Sequence, residues 1–138
     1  CTMKKESDLW RITKKKTAKI NWTRLESWSS FGVPDLLGYH DSCGFFMCEL
    51  KLARSPKISF SPHQILFHQV HQKRNFILVG VGQEAIHGPR KANEIRLYSS
   101  SSILGLLTDY RETPTLATCA LADSWVDIEQ KFLNTPLD

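Results

Sequence analysis

Residues 32–51 read GVPDLLGYHDSCGFFMCELK, and this stretch determines the fold that we expect for the chain. It contains two apolar runs, at 33–39 and 45–52, which are typical of β-strands. Between them, residues 40–44 are rich in turn-forming types, so the two strands are expected to form an antiparallel hairpin. The pairing within this hairpin decides which polar side chains meet.

A turn centred on Ser42 places Asp35 directly opposite Glu49, on one face of the hairpin. Directly opposed side chains have Cβ atoms about 4.5–5.5 Å apart, so the two carboxylates repel each other unless a cation lies between them. Mg²⁺ prefers carboxylate oxygens together with several waters. The main-chain carbonyl of Leu50 is a candidate for one further oxygen ligand. The hairpin therefore predicts a metal site formed by Asp35, Glu49 and Leu50.

Lys51 lies two residues after Glu49 and shares its face, because side chains alternate along a strand. Beside a metal, its ammonium group could orient a water, help to deprotonate it, or stabilise charge on a phosphate. These are the elements of phosphodiester hydrolysis, and both one-metal and two-metal schemes fit them. The alternative interpretation is a solvated surface ion pair between Glu49 and Lys51.

Three other side chains are candidates for an accessory catalytic role. Glu6 lies on a predicted first helix and Glu26 at the end of a predicted strand, and either could complete the acidic cluster. Gln64 falls in the first turn of a helix that Ser61 and Pro62 start, where it could bind a metal water or the scissile phosphate.

Basic residues crowd the first 24 positions, and they predict a surface that binds phosphates. The nucleic-acid-binding candidates are Lys14, Lys15, Lys16, Arg24 and His63. His68 and His71 lie on the same predicted helix as His63. A zinc site would need further ligands at suitable spacing, so DNA contact or plain surface is the expectation for all three histidines.

The rest of the chain predicts an α/β sandwich. A helix at 5–17 and a strand at 19–26 precede the hairpin, and an amphipathic helix at 59–74 crosses over to a strand at 75–81, which is expected to be buried on both faces. The downstream elements are expected as a strand at 94–98, a helix at 103–110 and a helix at 120–132. The predicted fold class is thus α/β, with an αβββαβ core and a mixed central sheet flanked by helices.

Composition excludes several other classes of protein. The chain has 138 residues and a net charge of +4, which suits one globular domain with a polyanionic partner. No run of about 18 apolar residues predicts a membrane span, and the first residues lack the apolar segment of a secretory signal. The 4 cysteines form no CxxC pair, which disfavours a zinc ribbon and suggests reduced thiols in the cytoplasm.

Four elements in order resemble the VRR-NUC branch of the PD-(D/E)xK nucleases, in particular its small stand-alone bacteriophage forms. One is the run WTRLES at 22–27. The others are the G-x-P-D, E-x-K and S-x-x-Q motifs of that branch, found here at 32–35, 49–51 and 61–64. The resemblance covers roughly residues 4–80.

The resemblance implies a restriction-endonuclease-like fold and DNA cleavage that depends on Mg²⁺ or Mn²⁺, in a single nuclease domain over 1–138 with its core at about 4–82. It further implies a homodimer acting on Holliday junctions, since two symmetric cuts need two symmetric sites. The family has a glutamate on its first helix near the metal, which Glu6 matches. Residues 83–138 depart from the compact family core as a C-terminal extension. A phage-encoded protein would act in the host cytoplasm.

The leading hypothesis is an endonuclease that selects junction or branched DNA by shape, because no motif for reading bases is visible. Alternatives within enzymes are a nicking, restriction-type, recombination or packaging nuclease. A different alternative is a module that binds DNA or protein on the same fold without cleaving. The complete set of Asp35, Glu49 and Lys51 argues against that module.

Overall fold

The computed structural model describes residues 3–25, 32–82 and 93–134, and within these ranges six strands form one continuous sheet. In sheet order, which is also chain order, the strands are β1 (Asn21–Arg24), β2 (Leu36–His40), β3 (Gly44–Ala53), β4 (Asn75–Val81), β5 (Glu94–Ser99) and β6 (Ala117–Ala120).

Among the described residues, four α-helices flank this sheet. They are α1 (Glu6–Lys16), α2 (Pro62–Val70), α3 (Ile103–Thr108) and α4 (Val126–Asn134). Across the described ranges, none of the helices has the length and apolar character needed to cross a lipid bilayer.

The sheet is mixed, as the sequence predicted. Strands β3 and β4 are parallel, and the other neighbouring pairs of described strands are antiparallel. Helix α2 makes the crossover between the parallel strands, so the predicted αβββαβ order is confirmed. Strand β4 is buried along its whole length, as expected for a strand covered on both faces.

The register of the β2–β3 hairpin is the one predicted from a turn centred on Ser42. Leu36 pairs with Cys48, and His40 pairs with Gly44. Strand β2 begins at Leu36 rather than at residue 33. Pro34 lies two residues before the start of β2, so its missing N–H breaks no hydrogen bond of the ladder.

The two faces of the sheet carry two separate hydrophobic clusters. Helices α1 and α4 cover one face, where Leu9 and Phe132 pack with Phe46, Leu50 and Phe76. The second cluster lies on the face that α3 covers, and its members are Ala53, Ile58, Ile77, Val79, Val81, Tyr98, Ile103, Leu106 and Tyr110. Side chains alternate between the two faces along each strand, and Glu49 and Lys51 lie on the same side as Ile77 and Val79.

The predictions for the C-terminal region were partly wrong. The expected helix at 120–132 begins only at Val126, and residues 117–120 form β6, which pairs with β5. The sequence of β6, ATCA, lacks the alternation and the β-branched or aromatic residues that mark a strand. Its pairing with β5 outweighs its weak local preference.

A substitution of Phe132 tests whether α4 contributes to the hydrophobic cluster that contains Phe46 and Phe76. Its ring centroid lies 5.4 Å from Trp22, 5.2 Å from Phe46 and 5.1 Å from Phe76. Phe132→Ala should lower the free energy of unfolding by about 3–5 kcal/mol, because it leaves a cavity among these rings. Val126→Ala, on an exposed position of the same helix, should change it by less than about 0.5 kcal/mol. Urea unfolding measures both, and equal small effects would show that α4 is dispensable.

Candidate active site

Asp35 lies immediately before β2, at the point where the β2–β3 ladder ends with Leu36 and Cys48. The next pair in this register is Asp35 and Glu49, as the sequence predicted. The Asp35 carboxylate accepts a hydrogen bond of 2.9 Å from the main-chain N–H of Leu50 through Oδ2. The Asp35 carboxylate thereby accepts from β3 just beyond the point where main-chain pairing between β2 and β3 ends. This hydrogen bond holds the carboxylate against the edge of β3.

Gly32 determines how the segment before β2 approaches the helix that follows β3. Its φ is +79°, and a Cβ at this position would lie 2.2 Å from the main-chain oxygen of His63. Only glycine combines this conformation with so close an approach. The segment that carries Asp35 is thus packed directly against the first turn of α2, where Gln64 lies.

Gln64 connects the two charged side chains of β3. Its Oε1 accepts hydrogen bonds from Lys51 Nζ at 3.1 Å and from the Ser61 N–H at 2.9 Å. Its Nε2 donates to Glu49 Oε2 at 3.4 Å, and its own N–H donates to Ser61 Oγ. These contacts form a capping box at the start of α2. The Ser61–Gln64 motif therefore both begins the helix and places an amide between Glu49 and Lys51.

Glu49 is 1% exposed, which is unusual for a carboxylate. Burial raises the pKa of Glu49 well above its ordinary value, and the charge of Asp35 and a hydrogen bond to Asp35 raise it further. Lys51 opposes this shift, and Glu6 adds to it. Without a cation, the folded protein therefore holds a proton at this pair of carboxyl groups.

Glu6 lies in the first turn of α1 and is the third carboxylate of the region. Loss of solvent contact raises the pKa of Glu6, and the charge of Asp35 raises it as well, while Lys51 and Arg54 lower it. Glu6 is thus electrostatically coupled to the predicted site, as the sequence suggested. The other accessory candidate, Glu26, lies outside the described residues.

The predicted metal ligands include one main-chain oxygen, the carbonyl of Leu50. In a strand, the N–H and C=O of one residue project from the same edge. The Leu50 N–H points to Asp35, so the Leu50 carbonyl faces the same edge of β3. Within the described ranges, no group of three or more His, Cys, Asp and Glu side chains is arranged to hold a metal ion. A cation between Asp35 and Glu49 would need main-chain or water oxygens as well.

His68 is fully buried, so the expectation of a surface or DNA-contacting side chain was wrong for this residue. Its Nε2 lies 3.7 Å from Glu49 Oε1, and its Nδ1 lies 2.7 Å from Ser100 Oγ. A signal for this position exists in the spacing: His68 follows Gln64 by four residues, which places both side chains on one face of α2. His63 and His71 are exposed, as expected.

The predicted basic surface is only partly free of protein contacts. Lys15 and Arg24 are exposed, and Lys14 Nζ lies 5.8 Å from the centre of the Trp10 ring. Lys16 Nζ instead donates to the main-chain oxygens of residues 122 and 123, at 3.3 and 3.0 Å. Lys16 therefore also ties α1 to the segment that precedes α4.

Comparisons with known proteins return no match. No protein-family profile, no curated protein and no solved structure is similar to this chain above the threshold of significance.

The shifted pKa of Glu49 predicts how the stability of the metal-free protein varies with pH. The unfolded chain releases the Glu49 proton near its ordinary pKa of 4.5, whereas the folded protein keeps it. The free energy of unfolding should therefore fall as the pH rises above about 4.5. Glu49→Gln removes this titration and should stabilise the metal-free protein at pH 8 by on the order of 1 kcal/mol.

Thermal unfolding in EDTA between pH 5 and pH 9 measures the effect. Glu112→Gln, at an exposed carboxylate remote from the pair in sequence, is the matched control and should follow the wild-type pH profile. Parallel profiles for wild type and Glu49→Gln would show that Glu49 is ionised in the folded protein.

Proposed function

We propose that this protein is a metal-dependent nuclease that hydrolyses phosphodiester bonds in DNA. The observation that supports the proposal most directly is the convergence of Asp35 and Glu49 from neighbouring strands, with Lys51 linked to Glu49 through Gln64. Glu49 is buried and its pKa is raised, and buried carboxyl groups with raised pKa values are concentrated at functional sites.

The residues present fit a divalent cation. Glu49 Oε1 is buried and has no hydrogen-bond partner, and the neighbouring Asp35 disfavours its charge. A cation held by Asp35, Glu49 and the Leu50 carbonyl would remove that repulsion with hard oxygen ligands, which Mg²⁺ and Mn²⁺ accept. Such a cation supplies a more acidic water and neutralises phosphate charge.

In this proposal Lys51 acts on the phosphate rather than on the metal ligands. Gln64 Oε1 holds its ammonium group from one side, and the Phe60 ring lies 4.7 Å from Nζ. A cation held in this way costs little reorganisation when charge develops on the phosphoryl oxygens. Lys51 would also orient the attacking water through its remaining N–H donors.

The exposed basic residues of α1 suit the phosphates that flank the scissile bond. Lys14 is eight residues from Glu6, so the two lie about 12 Å apart along the helix axis. Lys15 is exposed beside Lys14, and Arg24 is exposed where β1 pairs with Leu36, the residue that follows Asp35. We therefore favour recognition of the DNA backbone and its shape, including branched or junction DNA bound by a homodimer, over recognition of base sequence.

Cleavage assays test the catalytic assignment. Labelled junction, duplex and single-stranded DNA are incubated with Mg²⁺, with Mn²⁺ or with EDTA. Cleavage should require the metal, and Asp35→Ala and Lys51→Ala should each lower the rate by at least about 10²-fold. The matched controls are Asp41→Ala and Lys57→Ala, which remove exposed charges and should retain wild-type rates.

Two results would contradict this assignment. Binding of DNA without cleavage under every metal would indicate the non-cleaving module instead. Equal cleavage by wild type and Asp35→Ala would place the chemistry elsewhere in the chain.

The basic surface of α1 is tested by the salt dependence of DNA binding. The double variant Lys14→Ala, Lys15→Ala should bind duplex DNA more weakly at low salt, and its plot of log affinity against log salt should be shallower by about 2. Lys73→Ala removes an exposed lysine from the loop between α2 and β4 and serves as the control. Fluorescence anisotropy at several NaCl concentrations gives both slopes, and an unchanged slope in the double variant would exclude α1 from the DNA interface.

A further inference from the structure

His68 and Glu49 face each other inside the protein with unused hydrogen-bonding capacity. Both side chains are at most 2% exposed, and His68 Nε2 lies 3.7 Å from Glu49 Oε1. These two atoms are buried without a hydrogen-bond partner in the part of the chain that the structure describes. Unpaired buried polar atoms are rare in folded proteins, and two that face each other call for an explanation.

The contacts on the other side of the imidazole determine its tautomer. Asn75 Nδ2 donates to the main-chain oxygen of His71 at 2.9 Å, which fixes the orientation of the Asn75 amide because a carbonyl oxygen only accepts. The same Nδ2 lies 3.3 Å from His68 Nδ1, and Ser100 Oγ lies 2.7 Å from it. Nδ1 must therefore accept, so a neutral His68 carries its proton on Nε2 and directs it towards Glu49. With Nδ1 accepting from these partners, the imidazole is a hydrogen-bond donor of fixed direction towards Glu49.

We infer that His68 is a positioning residue: its Nε2–H orients the Glu49 carboxylate when that carboxylate binds the divalent cation. This inference rests on the metal site proposed above. Gln64 Nε2 already donates to Glu49 Oε2, and His68 Nε2 faces Glu49 Oε1, so α2 carries a donor group beside each carboxylate oxygen.

The separation of 3.7 Å is about 0.5–1 Å longer than a hydrogen bond between nitrogen and oxygen. Hydrogen bonds shorten when the acceptor is ionised. A carboxyl group that binds a cation does so as the carboxylate, which is the better acceptor for the Nε2–H. Cation binding and the His68 hydrogen bond should thus reinforce each other, as outer partners of metal-binding carboxylates commonly do.

Two substitutions of His68 separate positioning from simple packing. In His68→Asn the amide occupies the position of Nδ1, so the contacts to Ser100 and Asn75 are kept and the donor to Glu49 is lost. In His68→Gln the amide reaches the position of Nε2, so a donor to Glu49 is kept. Mn²⁺ binding to the whole chain without DNA is measured by the EPR signal of free Mn²⁺. Thermal unfolding in EDTA measures the effect of each substitution on packing.

His68→Asn should weaken Mn²⁺ binding by about 10–100-fold, and His68→Gln should restore most of the affinity. In cleavage assays, His68→Asn should need a correspondingly higher Mn²⁺ concentration for half-maximal rate and should approach the wild-type rate at saturation. A role in packing alone would lower the melting temperature of both variants without separating their Mn²⁺ affinities.

The outcomes distinguish this inference from the proposed function. If Asp35→Ala abolishes Mn²⁺ binding while His68→Asn binds as tightly as wild type, the role of His68 is wrong and the metal site stands. If the two variants of His68 lose affinity equally, the Nε2–H has no special role, and the inference is again overturned. If wild type binds no Mn²⁺, or if Asp35→Ala binds it normally, the metal site and the inference fail together.

Discussion

The contact between Asp35 and Glu49 is the constraint around which this region of the protein is arranged. Asp35 lies beside the buried carboxyl group of Glu49, and burial together with the charge of Asp35 raises the pKa of Glu49, so the two groups repel each other unless a cation joins them. The neighbouring donors relieve only part of this repulsion: the Leu50 N–H binds one carboxyl group and the Gln64 amide binds the other. A protein selected for stability alone would place apolar side chains here, as it does at Ile77 on the neighbouring strand.

Much of this arrangement follows from local rules that a sequence reveals. The turn centred on Ser42 sets the hairpin register, and a register shifted by one residue would turn the apolar residues of β3 away from the core. Ser61 and Gln64 form a capping box that marks the start of a helix. This motif depends only on the local backbone and can therefore be recognised in the sequence. The pairing of Asp35 with Glu49 and the nearness of Gln64 were predictable because each depends on neighbours in sequence or on a single hairpin.

Other features depend on contacts between distant segments, and the sequence did not reveal them. Strand β6 forms because its main chain pairs with the edge of β5. The burial of His68 depends on Ser100 and Asn75, which come from other elements. Arg74 has a positive φ of 54°, stacks over Phe46 and Phe76, and donates to the main-chain oxygen of Phe132. Apart from Asn75 and Phe76, these partners lie too far along the chain for a sequence periodicity to reveal them.

The C-terminal region contributes directly to the surroundings of the candidate site. Residues after 82 were expected as an extension beyond the compact core, yet Ser100 directly follows β5 and is fully buried against His68. Since His68 faces Glu49, a residue of that extension sets the orientation of a side chain in contact with the candidate metal ligand. Strand β4 pairs with β3 along Glu49 and Lys51, and β5 pairs with the other edge of β4. A chain shortened to residues 4–80 would therefore keep Asp35, Glu49 and Lys51 but lose Ser100 and the strand that pairs with β4.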